Sequence, residues 1–136
     1  RKGHINELHK QVCSYKAMEG IKMILYVEST VDANDLTVAL WRFCNNLDPK
    51  RDHLLYQQPS YININKTYSC MGLDGTIKTK EFDNFQRDWP NIIVSDDNTI
   101  RAIDKKWDTL GLGEFIPSPS LKFKLQMYGE EAVVKN

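Results

Sequence analysis

"IKMILYVE", residues 21–28, is a short apolar run of β-prone residues bounded by polar ones, and it predicts a buried strand. Residues 36–47 repeat apolar side chains at helical spacing, and "HLLYQ", residues 53–57, predicts a second strand. A strand, a helix and a strand joined by short links predict a βαβ unit with a right-handed crossover. The sequence therefore predicts an α/β domain with a small, mainly parallel sheet, flanked by helices in a three-layer-like arrangement.

Further elements are predicted on both sides of this unit. Residues 4–18 carry apolar side chains at helical spacing, and Gly20 beyond them is typical of a helix end. "TYSCMGLD", residues 67–74, predicts a third strand, and residues 75–90 are expected to form a structured loop. A last helix is predicted with Ser95 or Asp96 as its cap, an apolar stripe from Ile100 to Leu110, and Gly111 at its end.

The length and composition of the chain are those of one globular domain. The chain has 136 residues, of which 41% are hydrophobic and 26% are charged, which suffices for one core. We expect residues 1–116 to form the α/β domain and residues 117–136 to form a C-terminal tail that docks on a partner. The chain starts with Arg1 and shows no charged-then-apolar leader, which indicates a fragment of a longer protein or a processed chain.

Charge disfavours nucleic acid as a partner, which leaves a nucleic-acid module as a third and weaker option, and hydropathy predicts no transmembrane segment. The 18 basic and 18 acidic residues cancel, so the chain has no general electrostatic attraction for nucleic acid. No apolar run approaches the roughly 20 residues of a transmembrane helix. Cys13, Cys44 and Cys70 are odd in number and show no metal-binding spacing, so we expect buried, reduced thiols in a cytoplasmic protein.

The sequence shows no catalytic constellation and no metal-binding motif, so no catalytic residue or metal ligand is predicted. The histidines are His4, His9 and His53, and the first two are five positions apart. They therefore do not share a helix face as a pair at i and i+4 does. We expect all three histidines at surface or strand-edge positions.

Three acidic residues follow the first predicted strand: Glu28, Asp32 and Asp35. Ligands of open α/β sheets bind at the carboxyl ends of the strands, so these acids are candidates to hold a cation or position a substrate. The alternative is that they cap the following helix and place negative charge at its N-terminus. "DPKRD", residues 48–52, is interpreted as a self-neutralising turn with local bonds from aspartate to the backbone.

The third predicted strand ends in "MGLDGTIKT", residues 71–79. Its glycines permit a close backbone approach or positive φ, Lys78 is long enough to reach a phosphate, and Thr76 can donate a hydrogen bond. The stretch lacks the spacings GxxxxGK[ST] and GxGxxG. On spacing alone it is a turn in which Asp74 and Thr76 make local hydrogen bonds, and a phosphate contact is the minority interpretation.

Five segments, in order, resemble the C-terminal domain of the UbiD-type decarboxylases, the 3-polyprenyl-4-hydroxybenzoate carboxy-lyase family. They are GHINELHKQVCSYKAMEGIKMILYVE (3–28), VESTVDANDLTVALWRFCNNLDPKRD (27–52), MGLDGTIKT (71–79), RDWP (87–90) and IRAIDKKWDTLGL (100–112). Each motif alone is weak evidence for the family, but the occurrence of all five in this order is fairly specific to it. Two departures are Ser29-Thr30, where the family often has further acids, and Gly75, where alanine is usual.

The resemblance implies a parent enzyme that decarboxylates aromatic or α,β-unsaturated acids without oxidation, such as 3-polyprenyl-4-hydroxybenzoate in ubiquinone or menaquinone biosynthesis. It implies prenylated FMN, with a divalent metal and potassium at the cofactor phosphate, in an upstream flavin-binding domain that carries the catalytic residues. This chain would then bind no cofactor and catalyse nothing alone. It would close one wall of the cleft against that domain and contribute to a homo-oligomer.

The resemblance also sets the candidate site residues. Lys78 is the candidate contact to the cofactor, and the candidates to face the cleft are Glu28, Asp32, Asp35, Asp74 and Thr76. A second hypothesis is a stand-alone α/β module that binds a small anion or a nucleotide through the strand-end acids or Lys78.

Overall fold

The computed structural model describes residues 4–128 and 133–134. The chain divides into two compact units, residues 1–89 and residues 90–136. The predicted division after residue 116 stays a prediction.

The first unit alternates helices and strands. In chain order its elements are α1 (His4–Cys13), a 3-10 turn (Lys16–Met18), β1 (Met23–Tyr26), α2 (Leu36–Asn46), β2 (His53–Pro59), β3 (Thr67–Asp74) and α3 (Lys80–Asp83). The predicted α/β class and the three predicted strands are confirmed.

The sheet has the strand order β1-β3-β2, so the last strand in sequence lies in the middle. Strand β3 runs parallel to β1 and antiparallel to β2, and Gly72 is opposite Ile24 on one side and Leu54 on the other. The predicted βαβ pairing of β1 with β2 is therefore wrong, and the sheet is mixed rather than mainly parallel. The physical reason is the short link over residues 60–66, since strands joined by a short loop pair antiparallel.

Helix α1 covers one face of this sheet. Along β3, Tyr68, Cys70 and Gly72 are buried on the face that α1 covers with His9 and Cys13. Among the described residues, the opposite face is partly exposed, whereas the predicted three-layer-like arrangement requires helices on both faces.

The opposite face carries apolar side chains that remain exposed. Met23 is 51% exposed, Leu25 38% and Leu55 73%. Met71 is opposite both Met23 and Leu55, and Leu73 is opposite Leu25, so all five side chains point to the same side. We call these five residues the open sheet face.

Helix α2 turns its polar side inward. In its apolar stripe, Leu36 is 69% exposed and Leu40 is 48% exposed, so the first two turns of the helix leave these side chains in contact with solvent. The polar side faces inward because Glu28, a half-buried residue after β1, pairs with polar side chains of α2, as described below. The residues that α2 buries are Val38, Arg42, Phe43 and Asn46.

The second unit is mainly helical. It contains β4 (Val94–Ser95), α4 (Asp97–Lys106), a 3-10 turn (Trp107–Thr109), α5 (Pro119–Phe123), a second 3-10 turn (Lys124–Gln126) and β5 (Val133–Val134), which pairs parallel with β4. Asp96 caps α4 by accepting from two backbone N–H groups, as predicted.

Part of the predicted docking tail lies outside the described residues. Of residues 117–136, residues 129–132 and 135–136 are not described, and the rest contribute α5, the second 3-10 turn and β5. Over 4–128 and 133–134, the helices are all too short or too polar to cross a membrane.

Gly75 gives a test of the packing between α2 and the sheet. A Cβ atom at this position would lie 2.6 Å from Phe43 Cδ2 and 3.0 Å from the carbonyl oxygen of Tyr26. Although alanine is usual here in the resembling family, we expect Gly75→Ala to lower the free energy of unfolding by about 1–3 kcal/mol in urea denaturation. Ser29→Ala, at an exposed position, is the control, and equal stability of both variants would contradict this packing.

Candidate functional site at the strand ends

The turn after β3 directs Lys78 into the protein. The residue is 3% exposed, and its Nζ donates to the carbonyl oxygens of Asp74 at 3.0 Å and Thr76 at 2.7 Å. It also forms ion pairs with Asp74 Oδ1 at 3.3 Å and Asp52 Oδ1 at 3.8 Å. A buried ammonium needs such partners, and here they all belong to the protein. The predicted contact between Lys78 and a cofactor stays a prediction, and in this structure the ammonium holds the turn.

Asp74 and Thr76 stabilise the same turn. The backbone N–H of Thr76 and its Oγ1 donate to Asp74 Oδ1 at 3.0 and 2.6 Å. The predicted local hydrogen bonds are therefore confirmed. Their predicted position facing a cleft stays a prediction.

Asp52 connects this turn to Arg51. The Arg51 guanidinium holds the carboxylate with two parallel bonds, each 2.7 Å long. These bonds raise the pKa of Arg51, because they favour its charged form. Asp48 accepts from the backbone N–H of Lys50 at 2.9 Å, so the interpretation of residues 48–52 as a self-neutralising turn is confirmed.

Glu28 joins the end of β1 to α2 and to the turn. Its Oε1 accepts from Arg42 at 3.3 Å, from Asn46 at 3.1 Å and from the backbone N–H of Ile77 at 2.8 Å. Asn46 also donates to the carbonyl oxygen of Gly75 at 2.9 Å. Two buried atoms in this region, Glu28 Oε2 and Arg42 Nε, have no hydrogen-bond partner within the described part of the chain.

The other two predicted acids serve local structure. Asp35 accepts from the backbone N–H of Val38 at 3.1 Å, which confirms the capping alternative for this residue. Asp32 is exposed and accepts from the backbone and side chain of Asn34 at 2.9 and 3.1 Å. In the structure Glu28 therefore links the end of β1 to α2 and to the turn, whereas Asp35 caps α2 and Asp32 binds Asn34. A cleft-facing role for all three stays a prediction.

Trp89 adds the RDWP segment to these contacts. Its Nε1 donates to Asn46 Oδ1 at 2.9 Å, and the Arg51 guanidinium lies 5.9 Å from the centre of its ring. Such a distance is within the range of cation–π attraction. Segments 48–52, 71–79 and 87–90, which are distant in sequence, thus meet at one end of the sheet. We call their shared polar core the strand-end cluster: Glu28, Arg42, Asn46, Arg51, Asp52, Asp74 and Lys78.

The charges of the strand-end cluster balance. Its carboxylates belong to Glu28, Asp52 and Asp74, and each lies in a bond or ion pair with Arg42, Arg51 or Lys78. A cluster whose cations and anions already pair has little to offer a free anion. The fold and this cluster therefore define a small α/β domain whose polar groups tie its turns to its sheet.

The comparisons with known proteins identify the family of this domain. Residues 1–74 match the family model of the 3-octaprenyl-4-hydroxybenzoate carboxy-lyase C-terminal domain. Because the match covers more than half of the chain, the chain belongs to this family, and the resemblance to the UbiD-type decarboxylases is confirmed. The match ends where β3 ends, so the resemblance of the later segments stays a prediction.

One relative shows that a protein with a matching region can be much longer than this chain. An uncharacterised protein of Aquifex aeolicus (strain VF5) is 29% identical over 115 residues, which are 81% of this chain and 24% of that relative. The chain therefore spans about a quarter of the length of the relative that it matches.

Sequence reasoning missed the polar residues that α2 contributes. Arg42 and Asn46 stand four positions apart and so share one helix face, which was a usable signal for a buried polar stripe. Asp52 was taken only as part of a turn, although it is 5% exposed and contacts Lys78.

Sequence reasoning was also wrong about His9. The ring is 1% exposed, whereas His4 and His53 are exposed as predicted. The signal that could have indicated burial of His9 is Cys13. It follows His9 by four positions on α1, so the two side chains share one face of the helix. Cys13 and Cys70 are buried and free as predicted, but Cys44 is exposed, so the prediction is wrong for that residue.

Thiol labelling tests the burial of the cysteines. Burial, together with the neighbouring Cys70, raises the pKa of the Cys13 thiol to about 12. At pH 8 this thiol is therefore protonated and unreactive, and we expect iodoacetamide to modify the native chain only at Cys44, by peptide mass mapping. Urea should expose all three thiols, and Cys44→Ala should remove the native reaction. Rapid native modification of Cys13 would contradict the structure.

The role of Lys78 is tested by removing its charge. Lys78→Met keeps most of the side-chain volume but leaves Asp74 without its cation. We expect the free energy of unfolding to fall by roughly 3 kcal/mol, as for other broken buried ion pairs, in urea denaturation. Lys80→Met, at an exposed position two residues away, is the matched control. Equal stability of the two variants would show that the buried pair contributes nothing.

Proposed function

We propose that this chain is the assembly and cleft-closing domain of a non-oxidative carboxy-lyase that acts on aromatic or α,β-unsaturated acids, such as 3-polyprenyl-4-hydroxybenzoate in quinone biosynthesis. The family match supports this proposal, since the family is named for the C-terminal domain of such an enzyme. The length of the Aquifex aeolicus relative agrees, because about three quarters of that protein lies outside the shared region.

The open sheet face is the observation that carries the assembly role. Its five apolar side chains lie on neighbouring strands, and the most exposed, Leu55, keeps 73% of its surface in contact with solvent. Contiguous exposed apolar patches of this kind mark interaction sites. The proposed occupant is a second copy of this chain.

The polar residues of the same face favour a second copy. Apart from His53, the strand residues that share its side have no ionisable side chain: Gln57, Pro59, Thr67 and Ser69. A two-fold interface brings each patch against itself, so any charge on the patch would meet its own copy. An uncharged apolar face avoids this repulsion, and two sheets can pack face to face at about 10 Å.

The chemistry is proposed to lie in the flavin-binding domain of the parent chain, which is the second partner of this domain. Prenylated FMN, its divalent metal and potassium need free cations for phosphate and free oxygens for the metals. In the strand-end cluster the cations are paired, and Lys78 is enclosed by its own turn. A cavity of the second unit, lined by Ile100, Trp107 and Ile116 among others, measures about 220 Å³. It is smaller than the roughly 300–1,000 Å³ of ligand pockets. These residues do not fit the cofactor.

The alternative of a stand-alone module that binds an anion or a nucleotide is not supported by the charges of the strand-end cluster. It would use Lys78 or the acids at the strand ends, and these side chains bind each other or the backbone. We expect FMN and inorganic phosphate to show no saturable binding to this chain in calorimetric titration. Saturable binding that Lys78→Met removes, in a folded variant, would favour the alternative.

The assembly role is tested with a charge on the open sheet face. We expect the wild-type chain to self-associate in sedimentation velocity, and Leu55→Lys to weaken the association at least about tenfold, because an ammonium would be buried between two apolar faces. Ile62→Lys is the matched control, since Ile62 is 81% exposed but lies in the loop between β2 and β3. A wild-type chain that stays monomeric at all concentrations, or equal effects of both variants, would overturn the proposed interface.

A further inference from the structure

We propose that His9, Cys13 and Cys70 form a binding site for Zn²⁺ beneath α1. Their possible ligand atoms, a ring nitrogen of His9 and the Sγ atoms of Cys13 and Cys70, all lie within 4.8 Å of one another. All three residues are at most 1% exposed, so the site is an interior one. It is separate from the strand-end cluster and does not depend on the proposed assembly role.

The fold brings these residues together from two elements. His9 and Cys13 are at i and i+4 on α1, so they share the face that packs on the sheet. Cys70 lies in the central strand β3, on the face that α1 covers. Gly72 allows this approach, because a Cβ atom there would lie 2.8 Å from His9 Nδ1.

The distances suit one small cation. Cys13 Sγ lies 3.7 Å from each ring nitrogen of His9. Ligands about 2.3 Å (sulfur) and 2.0 Å (nitrogen) from zinc are separated by roughly 3.5–3.8 Å in a tetrahedral shell. Cys13 Sγ and the His9 ring nitrogens are therefore already at this spacing, and Cys70 Sγ lies within 4.8 Å of the other two ligand atoms.

The hydrogen bonds of His9 prepare one ring nitrogen for a metal. Nε2 lies 3.2 Å from the carbonyl oxygen of Cys70, which can only accept, so Nε2 carries the proton and donates. Metal-binding histidines usually donate their other N–H to a carboxylate or a backbone carbonyl in this way. Nδ1 is then an unprotonated acceptor, and the Tyr26 hydroxyl lies 2.9 Å from it. Nδ1 is the nitrogen we assign to the metal, which would replace the O–H···Nδ1 hydrogen bond and leave the Tyr26 oxygen as a candidate for a fourth position.

The charge of the three ligands favours Zn²⁺ over other soft cations. Two thiolates and one neutral imidazole carry two negative charges, so a Zn²⁺ complex is neutral and can stay in the interior without a further counter-ion. Each thiol releases its proton to the solvent when its Zn–S bond forms, so binding of one Zn²⁺ releases two protons. Cu⁺ also prefers sulfur ligands, but its complex would keep one uncompensated negative charge. Hard cations such as Mg²⁺ and Ca²⁺ require oxygen ligands and are not expected here.

The first experiment uses the purified 136-residue chain under reducing conditions, after treatment with a chelator. We expect Co²⁺, a coloured substitute for zinc, to bind one ion per chain with a thiolate-to-cobalt charge-transfer band and tetrahedral d–d bands. Zn²⁺ should remove these bands by displacement. Cys44→Ala should behave as the wild type, and Cys13→Ala should lose the charge-transfer intensity. The absence of these bands in the wild type would overturn the proposal.

A stability measurement gives a second readout that does not depend on variants. Because the site exists only in the folded chain, Zn²⁺ at about 100 times its Kd should raise the Tm by roughly 5–10 °C. Mg²⁺ at the same concentration should have no effect. A Tm that Zn²⁺ leaves unchanged, or a site that saturates with Cu⁺ and not with Zn²⁺ or Co²⁺, would overturn the assignment.

Discussion

The ion pairs of the buried Lys78 ammonium with Asp52 and Asp74 are the interaction on which the first unit depends. Asp52 precedes β2 and Asp74 ends β3, and because these strands are antiparallel neighbours, the two carboxylates meet at the same end of the sheet. A charge in the interior is stable only while its partners are in place. The pairing of β2 with β3, the turn at 74–79 and the start of β2 are therefore coupled, and the contacts of Glu28 extend this coupling to α2.

The first unit has two different regions, the polar strand-end cluster and the apolar open sheet face. At the strand ends, most polar groups pair with one another and connect segments that are far apart in sequence, while Glu28 Oε2 and Arg42 Nε have no hydrogen-bond partner among the described residues. On the open sheet face, apolar side chains have no such partners in the described chain and stay in contact with solvent. Under the proposed function, the open sheet face would serve assembly, and the reactive groups would lie in another part of the parent. This division agrees with a family defined as the C-terminal domain of a carboxy-lyase.

The elements were predictable from local pattern, and their arrangement was not. The β-prone runs and the cap at Asp96 depend on neighbouring residues, so the sequence predicted them correctly. The partner of β1 depends on a contact between residues 23–26 and 71–74, which no local pattern contains. The direction of Lys78 likewise depends on Asp52, 26 positions earlier. His9 was misplaced because a histidine in a helix is usually exposed, and only its spacing from Cys13 and the glycine opposite its ring indicate a buried position.

The strand order has a consequence for how the chain folds as it is made. Because β3 lies between β1 and β2, neither earlier strand has its neighbour until residues 67–74 have been synthesised. A growing chain that ends before residue 67 therefore carries two unpaired strands whose apolar side chains invite association with other nascent chains. The family match ends at residue 74, where the sheet is first complete. The sheet can therefore be completed only after this one strand has been synthesised.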